Sequence, residues 1–271
     1  MTDLLIHSMS EFADLILESM HAAGVRDVVE VGAEFGGMSQ QLAAYATLMG
    51  GKLTSIDPAP KPEFVQWAAG EAQVRHIAQP SLAAMPALDA PDAWVIDGDH
   101  NYYTVFNELR IARARSEAAG KPLFVFLHDV SWPCARRDFY YAPDRIPAEH
   151  RHPHSFDVGV TLGEAGTLPG RGFRGRGQFA WALEEGGPRN GVLTAIEDFL
   201  AEADAAGATL AYANIPAVFG LGVVFDTRAE WAERVTAILS PYHNNQLLAT
   251  LELNRLRNYL AVIDAQDRVA A

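Results

Sequence analysis

The stretch Val28-Val29-Glu30-Val31-Gly32-Ala33-Glu34-Phe35-Gly36-Gly37-Met38-Ser39 constrains this chain more than any other. Its first four residues read as a short buried parallel strand and its three glycines as a turn. From Ser39 the apolar positions Leu42, Ala43, Ala46 and Met49 have helical spacing. A strand that enters a helix through glycines lets backbone approach a ligand and turns helix N-terminal N–H groups toward it. Glu34 occupies the place of the middle glycine of a G-x-G-x-x-G fingerprint, which weakens a dinucleotide reading.

Taken in order, the chain alternates helix and strand. An amphipathic helix is predicted over 10–23, with Ser10 as N-cap, a face of Phe12, Leu15, Ile16 and Met20, and Gly24 as the stop. Strands are expected at 52–56, 74–77, 93–96 and 122–127, with helices at 62–70 and 102–119 between them. Five such alternations call for a parallel sheet with right-handed crossovers. Segment 131–181 then breaks the pattern and is far longer than the ~4–6 residues of an ordinary loop, so it reads as a lid inserted after strand five. A helix at 191–206 and strands at 209–214 and 221–225 follow, the pair antiparallel because its connection is tight. Helices at 228–240 and 245–265 close the chain. The fold class is therefore α/β, a Rossmann-like doubly wound sheet, mostly parallel with a C-terminal antiparallel hairpin. It is expected to be one domain over 1–271, with its lid at 131–181 and C-terminal helices at about 228–267.

Composition narrows the partners. A formal charge of −13 and a pI near 5.1 argue against a nucleic-acid backbone or an anionic membrane. The single cysteine, Cys134, excludes an internal disulfide and fits a reducing cytoplasm. Residues 1–10 carry acid and no basic run, so no leader is expected, and the most apolar run, 209–225, holds Asn214 and Pro216 and falls short of a spanning helix. The lid departs from the acidic background: Arg136, Arg137, Arg145, Arg151, Arg171, Arg174 and Arg176 occur there with no lysine. Arginine suits planar anions, so either a patch for an anionic group of a small-molecule substrate or a solvated loop is expected. Leu247, Leu248, Leu251, Leu253, Leu256, Leu260 and Ile263 line the last helix, as core or as a contact in a homo-oligomer.

Glu30, Asp57, Asp97, His128 and Asp129 all fall at predicted carboxyl ends of strands, where ligands of such sheets bind. This order, with a glycine turn after strand one, an acid after strand two and a terminal hairpin, resembles the class I S-adenosylmethionine-dependent methyltransferases. The turn itself is similar to that of small-molecule and sugar O-methyltransferases. The resemblance covers roughly 25–129 and, less closely, the hairpin. It implies S-adenosylmethionine as cofactor, held by Gly32, Gly36, Gly37 and Ser39 under its methionine part. Glu30 would lie near the amino group, Asp57 on both ribose hydroxyls, and Asp97 on the same side.

A second constellation is Asp97-Gly98-Asp99-His100 with His128-Asp129. In metal-dependent O-methyltransferases, acids after strands four and five hold a divalent cation. Carried over, that gives Asp97 (or Asp99), His128 and Asp129 as ligands of Mg²⁺, Mn²⁺ or Fe²⁺, with histidine favouring the transition metals. His100, three residues after Asp97, stands where catechol methyltransferases place a lysine base, and His128 competes for that role. Tyr102, Tyr103, Trp132, Tyr140 and Tyr141 are candidate pocket walls. His150, His152 and His154 read as loop histidines.

The implied activity is methyl transfer to a hydroxyl of a small molecule, a sugar or a secondary metabolite, in the cytoplasm. Two alternatives are a metal-dependent oxidative enzyme, because Asp-Gly-Asp-His resembles a motif of cephalosporin-hydroxylase-like proteins, and a non-catalytic assembly subunit built on the last helix.

Overall fold

A computed structural model describes residues 7–270. The first six residues, part of the segment read for a leader, lie outside the described residues. A 3-10 turn (Met9–Phe12) leads into α1 (Ala13–Ala23), which ends on Gly24 in the left-handed region. The cap differs from the expected one: the Ser8 hydroxyl accepts the Ser10 N–H at 3.2 Å, because the helix begins with a 3-10 turn two residues upstream.

There follow β1 (Val28–Val31), α2 (Gly37–Met49), β2 (Leu53–Ile56), α3 (Pro62–Ala68) and β3 (Val74–Ile77). A short α4 (Ser81–Ala84) precedes β4 (Ala93–Ile96), α5 (Tyr102–Ala118) and β5 (Phe124–His128). The lid carries β6 (Phe139–Tyr140), β7 (His154–Ser155), β8 (Val158–Gly159), β9 (Leu168–Pro169) and β10 (Ala180–Ala182). Then come α6 (Val192–Ala205), β11 (Leu210–Ile215), β12 (Leu221–Asp226), α7 (Ala232–Leu239) and α8 (Gln246–Ala270).

The seven-stranded sheet has the order β11-β12-β5-β4-β1-β2-β3. All neighbours are parallel except β12, which runs antiparallel to both β5 and β11. Strands β1, β2, β4 and β5 are buried on both faces, with Glu30, Thr54 and Ser55 among otherwise apolar residues in β1 and β2. One face packs Val29, Val31, Trp94 and Ile96 with α5 and α6, and the other packs Val28, Leu53, Val95 and Phe126 with α1, α2 and α7. The chain leaves β1 toward β2 and β3, then returns to β4 on the other side of β1, so the ligand crevice opens between β1 and β4. Register aligns Val31 with Ile96, which sets Gly32 beside Asp97: the Asp97 N–H donates to Val31 O at 2.8 Å.

The lid is built rather than loose. β6, β10 and β7 form one small sheet, β8 and β9 another. Buried Asp138 fastens it: Oδ1 accepts the N–H groups of Tyr102 and Gly191, each at 2.7 Å, and Oδ2 accepts the Tyr140 hydroxyl at 2.7 Å. That carboxylate serves two otherwise unpaired N–H groups beside the starts of α5 and α6.

Five of the seven lid arginines are engaged within the protein. Arg136 pairs with Glu197, Arg151 with Asp144, Arg171 with Asp264 and Arg174 with Asp267, while buried Arg137 donates to the carbonyls of Ala165, Gly166 and Ala182. The basic stretch is mainly internal fastening, and two of its arginines tie the lid to α8. The leucine stripe of α8 is divided in the same way. Leu256 is buried against Phe219, whereas Leu247, Leu251 and Leu253 are exposed. Among the described residues no helix is long and apolar enough to cross a membrane.

Candidate active site

The turn after β1 shows why its residues are what they are. Gly32 has φ +89, and a Cβ there would overlap the Asp97 carbonyl, so only glycine fits. Glu34, unusual for such a turn, adopts φ 45, the left-handed conformation glycine would supply, and its side chain is exposed. Gly36 (φ 87) is the N-cap of α2. The path past Glu34 is held by Asp57 at the end of β2. Asp57 Oδ2 accepts the N–H groups of Ala33 (2.9 Å) and Glu34 (3.1 Å), and Oδ1 accepts Ala59 N–H (2.8 Å).

Glu30 points below the turn, fully buried, with Oε2 accepting the hydroxyls of Ser39 (2.7 Å) and Ser55 (2.6 Å). Burial lifts its pKa from 4.5 to about 7 against those two hydrogen bonds. Oε1 has no partner in the protein. Ser39 is therefore turned toward Glu30 rather than toward the crevice.

Across the crevice, β4 delivers Asp97 and His100, and β5 delivers His128 and Asp129. His128 is the last residue of its strand, paired with Leu221 of β12, and its side chain is about 1% exposed. Its Nε2 lies 2.9 Å from the Val218 carbonyl, and its Nδ1 3.1 Å from Asp97 Oδ1 and 3.5 Å from Asp129 Oδ2. A ring facing oxygen acceptors through both nitrogens is an imidazolium donating from both. Burial opposes that charge, but Asp97, Asp129 and the two hydrogen bonds outweigh it and raise the pKa from 6.5 to about 9. The edge of the ring packs on Phe12 at 6.0 Å.

This geometry changes one member of the expected ligand set. His128 has no nitrogen left for a metal ion, and as a cation it cannot act as a base near neutral pH. Instead Asp97, His100 and Asp129 each present a ligand atom within 4.8 Å of the others. His100 Nδ1 is 3.3 Å from Asp129 Oδ2, and its ring packs on Phe139 at 5.3 Å. Asp129 holds this place with φ 59, a conformation aspartate tolerates better than most residues. Asp99 turns aside to the Thr104 hydroxyl at 3.3 Å.

Of the aromatic candidates, Tyr141 is about half exposed, 6.2 Å from the His100 ring, and faces the cluster. Tyr140 is buried on Asp138, Tyr102 bonds Asp198, and Tyr103 stacks on His150. His152 and His154 meet backbone carbonyls, in keeping with loop histidines. Cys134 is buried with its thiol pKa raised well above the usual value by desolvation, so it is no nucleophile. Val218, whose carbonyl orients His128, had no sequence signal: a main-chain oxygen ninety positions away is placed only by β12 lying beside β5.

A glycine turn at the β1/β4 switch point, an acid at the end of β2, and acids at the ends of β4 and β5 lie together at the carboxyl edge of the sheet. In sequence, residues 29–130, from β1 to just past β5, match the family model described as a methyltransferase domain. No curated protein matches the chain. Among solved structures, the chain is similar to the SAH-bound Podospora anserina methyltransferase PaMTH1, at 13% identity over 78% of this chain and 76% of that one, with TM-score 0.48. It is also similar to a Burkholderia thailandensis 1,6-didemethyltoxoflavin-N1-methyltransferase, at 15% identity over 81% and 78%, with TM-score 0.41. Likenesses at this level leave substrate and mechanism to the site itself.

Proposed function

We propose that the chain transfers the methyl group of S-adenosylmethionine to a hydroxyl of a small molecule at the Asp97–His100–Asp129 group. One observation carries this reading: three groups able to bind or deprotonate a hydroxyl converge beside Gly32, across the crevice from Asp57.

The residues suit the cofactor. The Cβ-free turn lets a ligand approach its backbone, Glu30 Oε1 is a buried acceptor without a partner, and Asp57 Oδ1, which accepts a single N–H, keeps acceptor capacity for a ribose hydroxyl while Oδ2 is taken by the turn. Bound there, S-adenosylmethionine supplies a methyl group on a positively charged sulfur. The S–CH₃ bond breaks as the O–CH₃ bond forms, so the protein has to align the acceptor oxygen and remove its proton.

Two carboxylates and one imidazole also fit a divalent cation, better Mn²⁺ or Fe²⁺ than all-oxygen-seeking Mg²⁺. Such an ion would lower the pKa of an acceptor hydroxyl. His128 fixes Asp97 through a charge-assisted hydrogen bond and lies 3.5 Å from Asp129 Oδ2 as an ion pair. A second reading needs no ion. With Nδ1 on Asp129, His100 would offer Nε2 to the acceptor proton, a base oriented by an acid.

Calorimetry with S-adenosylhomocysteine tests the reading: wild type should bind, and Asp57→Ala should bind at least about tenfold more weakly. No binding by the intact protein overturns it, and tightly held iron in that case favours the oxidative enzyme. Methyl transfer to a panel of hydroxyl compounds, after chelation and after Mn²⁺ return, separates the two routes. Loss and recovery indicate the ion; retention indicates the His100–Asp129 pair.

A further inference from the structure

The last helix reaches the site through the β11–β12 turn. Val218 and Phe219 are consecutive non-glycine residues with φ 45 and 64, followed by Gly220 at φ 92. A β-branched residue in the left-handed region is strained, so contacts outside the turn must hold it. Glu252 of α8 supplies them. Its buried carboxylate accepts the Phe219 N–H through Oε1 at 3.0 Å and also bonds the Val218 backbone. Two successive N–H groups converging on one carboxylate make an anion nest.

Arg255, three residues on, grips both Glu252 oxygens at 2.7 and 2.6 Å and lies 5.4 Å over the Phe219 ring. Leu256 packs beneath that ring, and Trp132 and Phe173 of the lid join the same cluster. So held, the turn aims the Val218 carbonyl at His128 Nε2, and His128 Nδ1 at Asp97 and Asp129.

We propose that Glu252 is a positioning residue of this site: through the Val218–Phe219 turn it orients His128, and through His128 the carboxylates of Asp97 and Asp129. The inference rests on the proposed function only for its activity readout, since the hydrogen-bond chain exists whatever reaction the site performs.

The test is Glu252→Gln in the full chain, with Leu251→Ala, at an exposed position of the same helix, as the control. Side-chain nitrogen–proton NMR of isotopically labelled histidine reads His128 directly. In wild type its Nε2–H should be slow to exchange and hydrogen-bonded. In Glu252→Gln that signal should shift and exchange faster, while Leu251→Ala stays near wild type. S-adenosylhomocysteine affinity should hold within about twofold and kcat should fall by roughly tenfold or more, as when groups that orient a site's ligands are removed. Val218→Gly, which lets the turn adopt its conformation unaided, should restore the His128 signal when combined with Glu252→Gln. It also provides a folded protein if the single variant does not fold. A His128 spectrum in folded Glu252→Gln identical to wild type overturns the proposal, and so does failure of the double variant to restore it. If wild type transfers no methyl group, the NMR comparison still decides the role of Glu252.

Discussion

His128 Nδ1 sits 3.1 Å from Asp97 Oδ1 while the other ring nitrogen meets the Val218 carbonyl, so a buried imidazolium at the end of β5 holds the acid at the end of β4. The folded-state pKa, about 9, lies above the 6.5 of an unperturbed histidine. In chelated protein this ring's contribution to stability should be full below about pH 6.5 and be lost as pH rises through 9. Urea unfolding at pH 6.5 and 9 should show that decline. His128→Gln should remove this part of it and destabilise by about 3–5 kcal/mol at pH 6.5, because Asp97 and Asp129 lose their buried cation. An unchanged pH profile in the variant would count against the imidazolium.

Gly32→Ala places a methyl group against the Asp97 carbonyl in a backbone conformation that disfavours side chains. Unfolding free energy should drop by about 2 kcal/mol or more. S-adenosylhomocysteine affinity should fall with it, since turn and strand end are both displaced. Gly50→Ala, at φ 68 with open space around its Cβ site, is the control and should leave cofactor affinity unchanged.

Glu108 of α5 is fully buried, and burial raises its pKa from 4.5 to about 8, with Ser81 opposing and Asp99 assisting. A raised carboxyl pKa carries no penalty below about pH 4.5 and its full penalty above about pH 8. Glu108→Gln, which cannot ionise, should therefore be more stable than wild type at pH 9, by on the order of a few kcal/mol, and should show no such advantage at pH 4.5. Thermal unfolding at the two pH values is sufficient.

Arg137 belongs to a stretch that in sequence reads either as an anion patch or as a solvated loop, yet it is 1% exposed and donates to three lid carbonyls. Arg137→Met should destabilise the protein by roughly 3 kcal/mol, because buried acceptors lose charged donors. Cofactor affinity should be unaffected at temperatures where the variant is folded. A stable variant with impaired binding would restore the anion-binding reading.

The central sheet was legible because its signals are local. Short runs at 28–31, apolar but for Glu30, and at 93–96, closed by glycine or aspartate, predict strands and strand ends directly, and β1 and β4 fall on those bounds. The same locality marked Gly32, Asp57 and Asp97 as residues that follow strand ends. The lid resisted for the opposite reason. Asp138, Arg137 and Asn190 are ordinary polar residues in sequence, and their partners lie up to 53 positions away. The expected N-cap at Ser10 gave way to Ser8 because a 3-10 turn leaves no periodic mark of its own.

By itself the sequence determined the order of elements, the glycine turn and the set of acids and histidines at the strand ends, since each follows from residue type at fixed spacing. Only the tertiary structure decided what those histidines do. His128 and His100 carry the same side chain beside the same acids, and no local pattern separates them. Once β12 lies against β5, the Val218 carbonyl takes one nitrogen of His128 and the carboxylates take the other, making it a buried cation. His100, with Nδ1 at 3.3 Å from Asp129 Oδ2, joins Asp97 and Asp129 in one cluster. The charge state of a histidine is set by neighbours brought from far along the chain, and those exist only after folding.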